Sequence, residues 1–172
     1  IFEILDNIKP VRGRMELAAT KKNGATVYVD YAHTPDAIEV ALKSLKPHIL
    51  GKLIVVIGAG GERDEGKRPL MGTAAEQNSD FVIITDDNPR NEDPSVIHQM
   101  IKNGIQNDNK VKVIADRAEA ILTAVDLLEV GDGLLIAGKG HETEQVIGEN
   151  NFPFDDFEQA SLSVALVDGL EK

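Results

Sequence analysis

The chain has 172 residues, 42% of them hydrophobic, which is enough to bury one core, so we expect a single main domain. Its net charge of −11 argues against nucleic acid or an anionic membrane as a partner. The chain contains no cysteine, which excludes disulfide bonds, thiolate zinc sites and a cysteine nucleophile. No apolar stretch approaches the roughly 20 residues that a membrane-spanning helix needs.

The first residues mix apolar and charged side chains before Pro10 and predict a linker or the remnant of a preceding domain over residues 1–12. The main domain is then expected over residues 13–172. The start, Ile1-Phe2-Glu3, has neither Met nor a basic leader, so we expect no signal peptide and interpret the sequence as a piece of a longer protein.

A β-hairpin is predicted near the start of the domain. Two β-prone runs, residues 14–20 and 26–30, flank Asn23-Gly24, a dipeptide that favours a tight hairpin turn. The second run leads into a polar loop in which Thr34 is a good N-cap and Pro35 suits the first helical position. The helix that follows should end before Pro47.

The rest of the chain alternates between strand and helix. Continuous apolar runs predict strands buried on both faces at residues 52–57, 81–84 and 133–137. Helices are predicted over residues 69–78, from Asp93-Pro94 onward, over 117–128 and over 157–170, with a further strand at 110–114 and a hairpin strand at 145–148. This alternation indicates an α/β fold, a three-layer sandwich with a mostly parallel sheet and a β-hairpin edge.

Polar loops follow four of the predicted strands, at residues 30–36, 58–68, 85–90 and 138–142. The carboxyl ends of parallel strands meet at one edge of a sheet, where ligands of such folds bind. These loops also bring cations to that edge of an acidic chain, namely Arg63, Lys67, Arg68, Arg90 and Lys139. The sequence therefore predicts a cationic pocket for a small anion.

The glycine-rich loop, Gly61 to Arg68, nearly matches the phosphate-binding pattern GxxxxGK[ST]. Arg68 stands where that pattern needs a hydroxyl to hold Mg²⁺, and two acids inside the loop would repel phosphate. The dinucleotide pattern GxGxxG fails as well, because Arg63 replaces its third glycine. We interpret the glycines as allowing a tight turn that directs Arg63 into the pocket.

The histidines show no metal-binding spacing, and no metal site is predicted. His33 and His141 lie in the polar loops, where each could contact ligand or hold its loop in place. His48 and His98 are predicted to be surface residues.

Several acidic residues receive a structural interpretation. Asp86-Asp87 could bind a metal, but a role in shaping the loop is favoured. Asp116 with Arg117, and the pair Asp155-Asp156, are interpreted as helix caps or solvated faces. No Ser-His-Asp arrangement can be argued from the sequence.

Taken together, five segments closely resemble the C-terminal domain of the Mur ligases. They are Gly13-Arg14-Met15-Glu16, residues 30–36, Gly60 to Asp64 with Lys67 to Met71, Asp86-Asp87-Asn88-Pro89-Arg90, and Gly138-Lys139-Gly140-His141-Glu142. The likeness extends from about residue 10 over nearly the whole chain.

The resemblance implies an ATP-dependent amide ligase of peptidoglycan synthesis in the cytoplasm. Such a ligase activates the D-glutamate carboxylate of UDP-MurNAc-L-Ala-D-Glu as an acyl phosphate, which the amine of a third amino acid attacks. The family's C-terminal domain is Rossmann-like, grips the incoming amino acid and closes over ATP. ATP and Mg²⁺ are held mainly by a central domain that has no counterpart here. We therefore expect a monomeric domain without catalytic residues of its own, inactive alone.

The resemblance also implies roles for particular residues. Expected contacts to the amino acid are Arg63, Asn88, Arg90, Gly138 and Glu142. Expected contacts to the nucleotide are Arg14 and Asp30, at phosphate and ribose, with Lys67 and His33 as further candidates.

The chemistry of these residues favours meso-diaminopimelate over L-lysine. The distal end of diaminopimelate carries a carboxylate and an ammonium, whereas lysine ends in an ammonium alone. Arg90 and Arg63 suit the carboxylate, and Glu142 can accept from the ammonium. Lysine would leave the arginines unpaired, which is a strong source of discrimination.

Two alternatives remain open at the level of the sequence. One is another ligase of the superfamily, adding L-lysine, D-glutamate, a dipeptide or folate glutamates. The other is a non-catalytic α/β module that binds a small anion. A thermal shift of this chain with ATP alone would favour a self-contained nucleotide-binding module.

Overall fold

The computed structural model describes residues 11–170. Six strands form one sheet in the order β1-β2-β6-β3-β4-β5, and β7 and β8 form a separate hairpin. The strands are β1 Glu16–Thr20, β2 Thr26–Asp30, β3 Leu53–Ile57, β4 Phe81–Ile84, β5 Val111–Val113, β6 Gly133–Ala137, β7 Glu144–Ile147 and β8 Asn150–Pro153. Strands β2 to β6 of the sheet run parallel, and β1 pairs antiparallel with β2 at the edge.

Within residues 11–170, five α-helices cover the two faces of the sheet. They are α1 Pro35–Leu45, α2 Lys67–Asn78, α3 Pro94–Lys102, α4 Arg117–Asp126 and α5 Asp156–Leu170. Helices α1, α2 and α3 share one apolar core, while α4 and α5 share the core on the opposite face. The predicted three-layer α/β sandwich with a mostly parallel sheet and a hairpin edge is confirmed.

The central strands have the burial that their apolar runs predict. All five residues of β3 and of β6 are buried. Successive side chains of β3 enter opposite cores, because Val55 packs with α1 and α2 while Val56 packs with α4 and α5. A strand flanked by helices on both faces has no solvent side, so it needs no polar alternation.

Side-chain caps fix where three of the helices begin. Thr34 Oγ1 accepts from Ala37 N at 3.3 Å, as predicted, and Pro35 occupies the first turn of α1. Asp93 and Asp116 cap α3 and α4 in the same way. Each cap satisfies a backbone N–H that has no partner within the helix.

Some predicted boundaries shift by a few residues. The first strand begins at Glu16 instead of residue 14, because Gly13 and Met15 have φ values of +66° and +43°, which extended strands do not contain. Helix α2 begins two residues before Pro69. The predicted linker of residues 1–12 lies mostly outside the described residues, and its role stays a prediction.

The topology places the four polar loops together. Strand β6 lies between β2 and β3, with β4 next to β3, so the loops after these four parallel strands open on one edge of the sheet. The hairpin β7–β8 follows the last of these loops. Within residues 11–170, no helix has both the length and the apolarity to cross a membrane.

Candidate functional site

A cavity of about 260 Å³ lies at the carboxyl ends of the parallel strands. Its walls come from the four loops that were predicted to converge. The lining residues are Tyr31, His33, Gly58, Ala59, Gly60, Arg63, Lys67, Asp87, Asn88, Arg90, Gly138 and Glu142. Cationic and acidic groups therefore face the same space.

The structure brings together most of the residues predicted for the site. All five predicted amino-acid contacts line the cavity, and so do His33 and Lys67. Arg14 and Asp30 lie outside its lining, beside the loop that carries Tyr31. Seven of the nine predicted residues therefore line the cavity, and their roles in binding stay predictions.

Asn88 and Glu142 form a hydrogen-bonded pair in the wall of the cavity. Asn88 Nδ2 donates to Glu142 Oε2 at 2.9 Å, and Asn88 Oδ1 accepts from Val146 N at 2.9 Å. Asn88 is buried and Glu142 is half-buried. The loop after β4, the loop after β6 and the hairpin are therefore joined at one amide.

Arg90 is held in place by its backbone and by its side chain. Its φ of +53° lies in the left-handed region, where residues other than glycine are uncommon. The hairpin fixes this conformation, because Arg90 N donates to Val146 O at 3.1 Å and Gly148 N donates to Arg90 O at 2.7 Å. One guanidinium nitrogen of Arg90 donates to Gly61 O at 2.8 Å. The same nitrogen also donates to Asn88 O at 3.3 Å, and the N–H groups of the other two guanidinium nitrogens remain for an anion in the cavity.

Lys139 lies beneath the cavity with no exposed surface. Its Nζ donates to Asn88 Oδ1 at 3.0 Å and lies 3.4 Å from Glu142 Oε2. Burial lowers the pKa of Lys139, since an ammonium loses its hydration there, although the charge of Asp87 opposes that effect. The carboxylates around it compensate part of the desolvation cost.

Aromatic and cationic groups gather on the other side of the cavity. The guanidinium of Arg14 lies 4.6 Å from the centre of the Tyr31 ring, and that ring also packs against His33 and His141. Lys67 Nζ donates to His33 O at 2.9 Å. His33 Nδ1 lies 2.8 Å from Tyr31 O, and because a carbonyl only accepts, that nitrogen carries the proton.

Asp30 ties two loop segments together. Its carboxylate accepts from Met15 N at 2.7 Å and from Ala32 N at 2.8 Å. These bonds hold the residues just before β1 against the loop after β2, and Arg14 therefore lies beside Tyr31. A contact from Asp30 to a ribose stays a prediction.

Two of the five cations predicted for the cationic edge are buried inside the protein. Arg68 is fully buried and donates to Glu92 Oε1 at 3.0 Å and to Gly60 O at 3.3 Å. Lys139 is fully buried as well. The cations that line the cavity are Arg63, Lys67 and Arg90, and they share it with the acids Asp87 and Glu142. The cavity is therefore lined by acids as well as by cations, and its binding of a small anion stays a prediction.

The prediction that His98 is a surface residue was wrong. His98 is only 6% exposed, because it packs under the loop after β4 with its Nε2 2.7 Å from Asp86 Oδ1. Of the two pairs interpreted as helix caps or solvated faces, Asp116 and Asp155 do cap helices, whereas Arg117 and Asp156 are buried. These two buried residues form an ion pair at 2.7 Å. Charged runs normally indicate solvated faces, so the sequence alone gave no sign of this pairing.

The predicted site residues omit five members of the cavity wall, of which Gly58, Ala59 and Gly60 have little or no side chain and Tyr31 and Asp87 have side chains that can contact a ligand. Tyr31 lies in the polar loop after β2. An aromatic residue in such a loop could have indicated a ligand contact from the sequence. Asp87 was interpreted only as a structural residue. Among the residues from 11 to 170, no group of three or more His, Asp or Glu side chains is arranged to hold a metal ion.

Comparison with known proteins agrees with this geometry. The family model described as "Mur ligase, glutamate ligase domain" matches residues 13–140. A 2,6-diaminopimelate-adding UDP-N-acetylmuramoyl-L-alanyl-D-glutamate ligase from Bradyrhizobium diazoefficiens is 48% identical over 96% of this chain. The ligase of the same name from Synechococcus elongatus is 52% identical, also over 96%. The chain spans 33% of the length of each of these relatives.

A solved structure of a ligase with that name superimposes with a TM-score of 0.85 at 40% identity. The match covers 95% of this chain and 34% of that one. Since the family model covers well over half of the residues, including the loops after β2, β3 and β4, the chain belongs to the Mur ligase family.

Proposed function

We propose that this chain is the C-terminal, amino-acid-binding domain of a cytoplasmic ATP-dependent ligase. The ligase adds meso-diaminopimelate to UDP-MurNAc-L-Ala-D-Glu in peptidoglycan synthesis. The observation that carries this proposal is the set formed by Arg90, Asn88 and Glu142 in one cavity. It combines donors for a carboxylate with an acceptor for an ammonium, and an amino-acid end group needs both.

The fixed geometry of these residues supports selective binding. Arg90 and Asn88 are both hydrogen-bonded to the backbone of the hairpin. Binding therefore costs little further conformational entropy in these two residues. Glu142 Oε2 is engaged by Asn88, which leaves Oε1 for a substrate ammonium. With its distal end held this way, the amino acid presents its reacting amine toward the rest of the ligase.

Lysine fits this cavity less well than diaminopimelate. It would supply an ammonium for Glu142 but no distal carboxylate for Arg90, whose remaining N–H groups would stay unpaired in a confined space. A site built to bond a polar group rejects analogues that lack it by large factors. The L-lysine-adding alternative is therefore disfavoured by the arginine.

The residues on the Tyr31 side of the cavity fit a nucleotide. Arg14 and Lys67 supply positive charge, while Tyr31 and His141 supply aromatic surface. The loop from Gly61 to Arg68 does not form an independent phosphate cradle, because the Arg68 guanidinium turns inward to Glu92. ATP, when bound, supplies the energy for activating the carboxylate that is ligated.

The described residues do not offer a binding site for Mg²⁺. No suitable group of acids exists within residues 11–170. We expect Mg²⁺ to be held by another part of the longer ligase, so no role in binding it is assigned to this chain.

Replacement of Arg90 by alanine in the full-length ligase tests the proposal. We expect the KM for meso-diaminopimelate to rise by about 10-fold to 100-fold, because a charge-assisted interaction is lost, with little change in the KM for ATP. Lys102→Ala, which removes an exposed cation of α3, is the matched control and should leave both constants unchanged. Equal changes in the two constants, or none, would contradict the proposal.

Thermal-shift measurements on this chain separate the alternatives. Stabilisation by meso-diaminopimelate and not by L-lysine is the expected result, since ligand binding to the native state raises the unfolding temperature. Stabilisation by L-lysine would favour a lysine-adding ligase. Stabilisation by ATP alone would favour a self-contained nucleotide-binding module.

A further inference from the structure

Lys139 is an ammonium buried directly behind the cavity wall. It has no exposed surface and does not line the cavity, although its neighbours Gly138 and Glu142 do. Burial of a lysine costs free energy unless its donors find partners. Its partners here are two residues of the proposed amino-acid site, Asn88 and Glu142.

The contacts of Lys139 determine which way the Asn88 amide faces. Asn88 Oδ1 accepts hydrogen bonds from Lys139 Nζ at 3.0 Å and from Val146 N at 2.9 Å. An ammonium and a backbone N–H are donors only, so the oxygen of the amide must point toward them. The amide nitrogen then points toward Glu142, to which it donates at 2.9 Å.

The Asn88 side chain has one hydrogen-bonding group left for a ligand. A side-chain amide has two acceptor sites on its oxygen and two N–H donors on its nitrogen. Both acceptor sites are occupied by Lys139 and Val146, and one N–H bonds to Glu142. One N–H remains, so Asn88 can offer a ligand a donor and no acceptor.

We propose that Lys139 is a positioning residue that holds the Asn88 amide in its donating orientation, so that this part of the cavity accepts a carboxylate and disfavours an ammonium. Without the Lys139 ammonium, the amide would keep its bonds with Val146 N and Glu142 Oε2, but no cation would hold its oxygen away from the cavity. A rotated amide would present its oxygen to the cavity, which suits the ammonium of lysine. This inference rests on the proposed function, because it assigns to Lys139 a part in selecting diaminopimelate over lysine.

The test uses a double-mutant cycle in the full-length ligase. Lys139→Met keeps the unbranched, apolar part of the side chain and removes its donors. We expect the KM for meso-diaminopimelate to rise about tenfold, with the KM for ATP unchanged and the preference for diaminopimelate over L-lysine reduced by a similar factor. In an Asn88→Ala background, Lys139→Met should change that preference no further, because the amide through which Lys139 acts is absent.

Lys21→Met is the matched control, since it also replaces a buried lysine of this domain. Lys21 Nζ donates to Val125 O and Leu128 O at 3.3 and 3.2 Å, away from the cavity. We expect that variant to be less stable but to keep the wild-type preference between the two amino acids. A loss of preference in Lys21→Met equal to that in Lys139→Met would overturn the proposal.

A second variant covers the case in which Lys139→Met does not fold. Asn88→Asp preserves shape but turns an acceptor toward the cavity, so it should raise the KM for diaminopimelate more than Asn88→Ala does. A wild-type KM in Asn88→Asp would overturn the donor-only assignment of Asn88.

The possible failures are distinguishable. Additive effects of Lys139→Met and Asn88→Ala would refute the role of Lys139 and leave the proposed function standing. A wild-type ligase that does not use meso-diaminopimelate would refute the proposed function and this inference together.

Discussion

Gly138 is the first residue after β6, and neither its backbone conformation nor its surroundings suit a side chain. Its φ of +119° is a value that residues with a Cβ rarely adopt. A Cβ at this position would lie 2.6 Å from Asp87 Oδ2, closer than van der Waals contact allows. Gly138 therefore brings the loop after β6 against the loop after β4, and this approach closes one side of the cavity.

Gly138→Ala is expected to destabilise the chain by about 1–3 kcal/mol through backbone strain and to weaken binding of diaminopimelate, because the Asp87 carboxylate in the cavity wall must move away from the added Cβ. Urea unfolding and calorimetric titration measure the two effects. Gly24→Ala is the control, since Gly24 has a φ of +89° with no atom within 4 Å of the added Cβ. It should lose stability through strain but keep wild-type affinity. Unchanged affinity in Gly138→Ala would contradict the role given to this close approach.

Two helices and two strands meet at the side chain of Arg117. This residue begins α4, pairs with Asp156 at the start of α5, and donates to Ala137 O at the end of β6 and to Asp86 O after β4. Burial alone would lower the pKa of Arg117, but the charge and hydrogen bonds of Asp156 outweigh it and raise that pKa. Arg117 therefore keeps its charge and joins the ends of β4 and β6 to the starts of α4 and α5.

Arg117→Met should destabilise the chain by about 3–5 kcal/mol, because it leaves the Asp156 carboxylate buried without a partner. Asp156→Asn alone should also be costly. The double variant should lose less stability than the sum of the single losses, since no unpaired charge remains in it. Urea unfolding of the wild type, the two single variants and the double variant gives the coupling free energy. Strictly additive losses would show that the interaction between Arg117 and Asp156 contributes nothing to the free energy of unfolding.

At the scale of the whole molecule, the fold class could be predicted because strands covered on both faces are continuous apolar runs. The convergence of the loops followed from that parallel arrangement. The burial of Lys139 and Arg117 could not be predicted, since their partners Asn88 and Asp156 lie 51 and 39 residues away in the chain. The bonds from the hairpin to Arg90 were equally hidden, because they depend on tertiary packing and not on local pattern.

The acid sensitivity of the whole molecule follows from the carboxylates that folding stabilises in their charged form. Burial would raise the pKa of Asp80, but bonds from Lys46 and from Leu53 N outweigh it and hold that pKa below its ordinary value of 3.8. The pKa of Glu92 is lowered mainly by the bond from Glu62 N, and the pKa of Asp93 mainly by its bonds with Ser95. These groups bind fewer protons in the folded chain than in the unfolded chain.

A carboxylate with a lowered pKa contributes stability above its ordinary pKa and loses it as the pH falls through the lowered one. We therefore expect the free energy of unfolding to fall steeply below about pH 4. Asp80→Asn should be less stable than wild type at pH 7 but should lose less on acidification to pH 3. Lys46→Met should show a smaller change in the same direction, because Leu53 N still bonds Asp80. Urea unfolding at pH 7, 5, 4 and 3 measures these slopes, and an acid limb unchanged in both variants would exclude the contact between Asp80 and Lys46 as a source of the pH dependence.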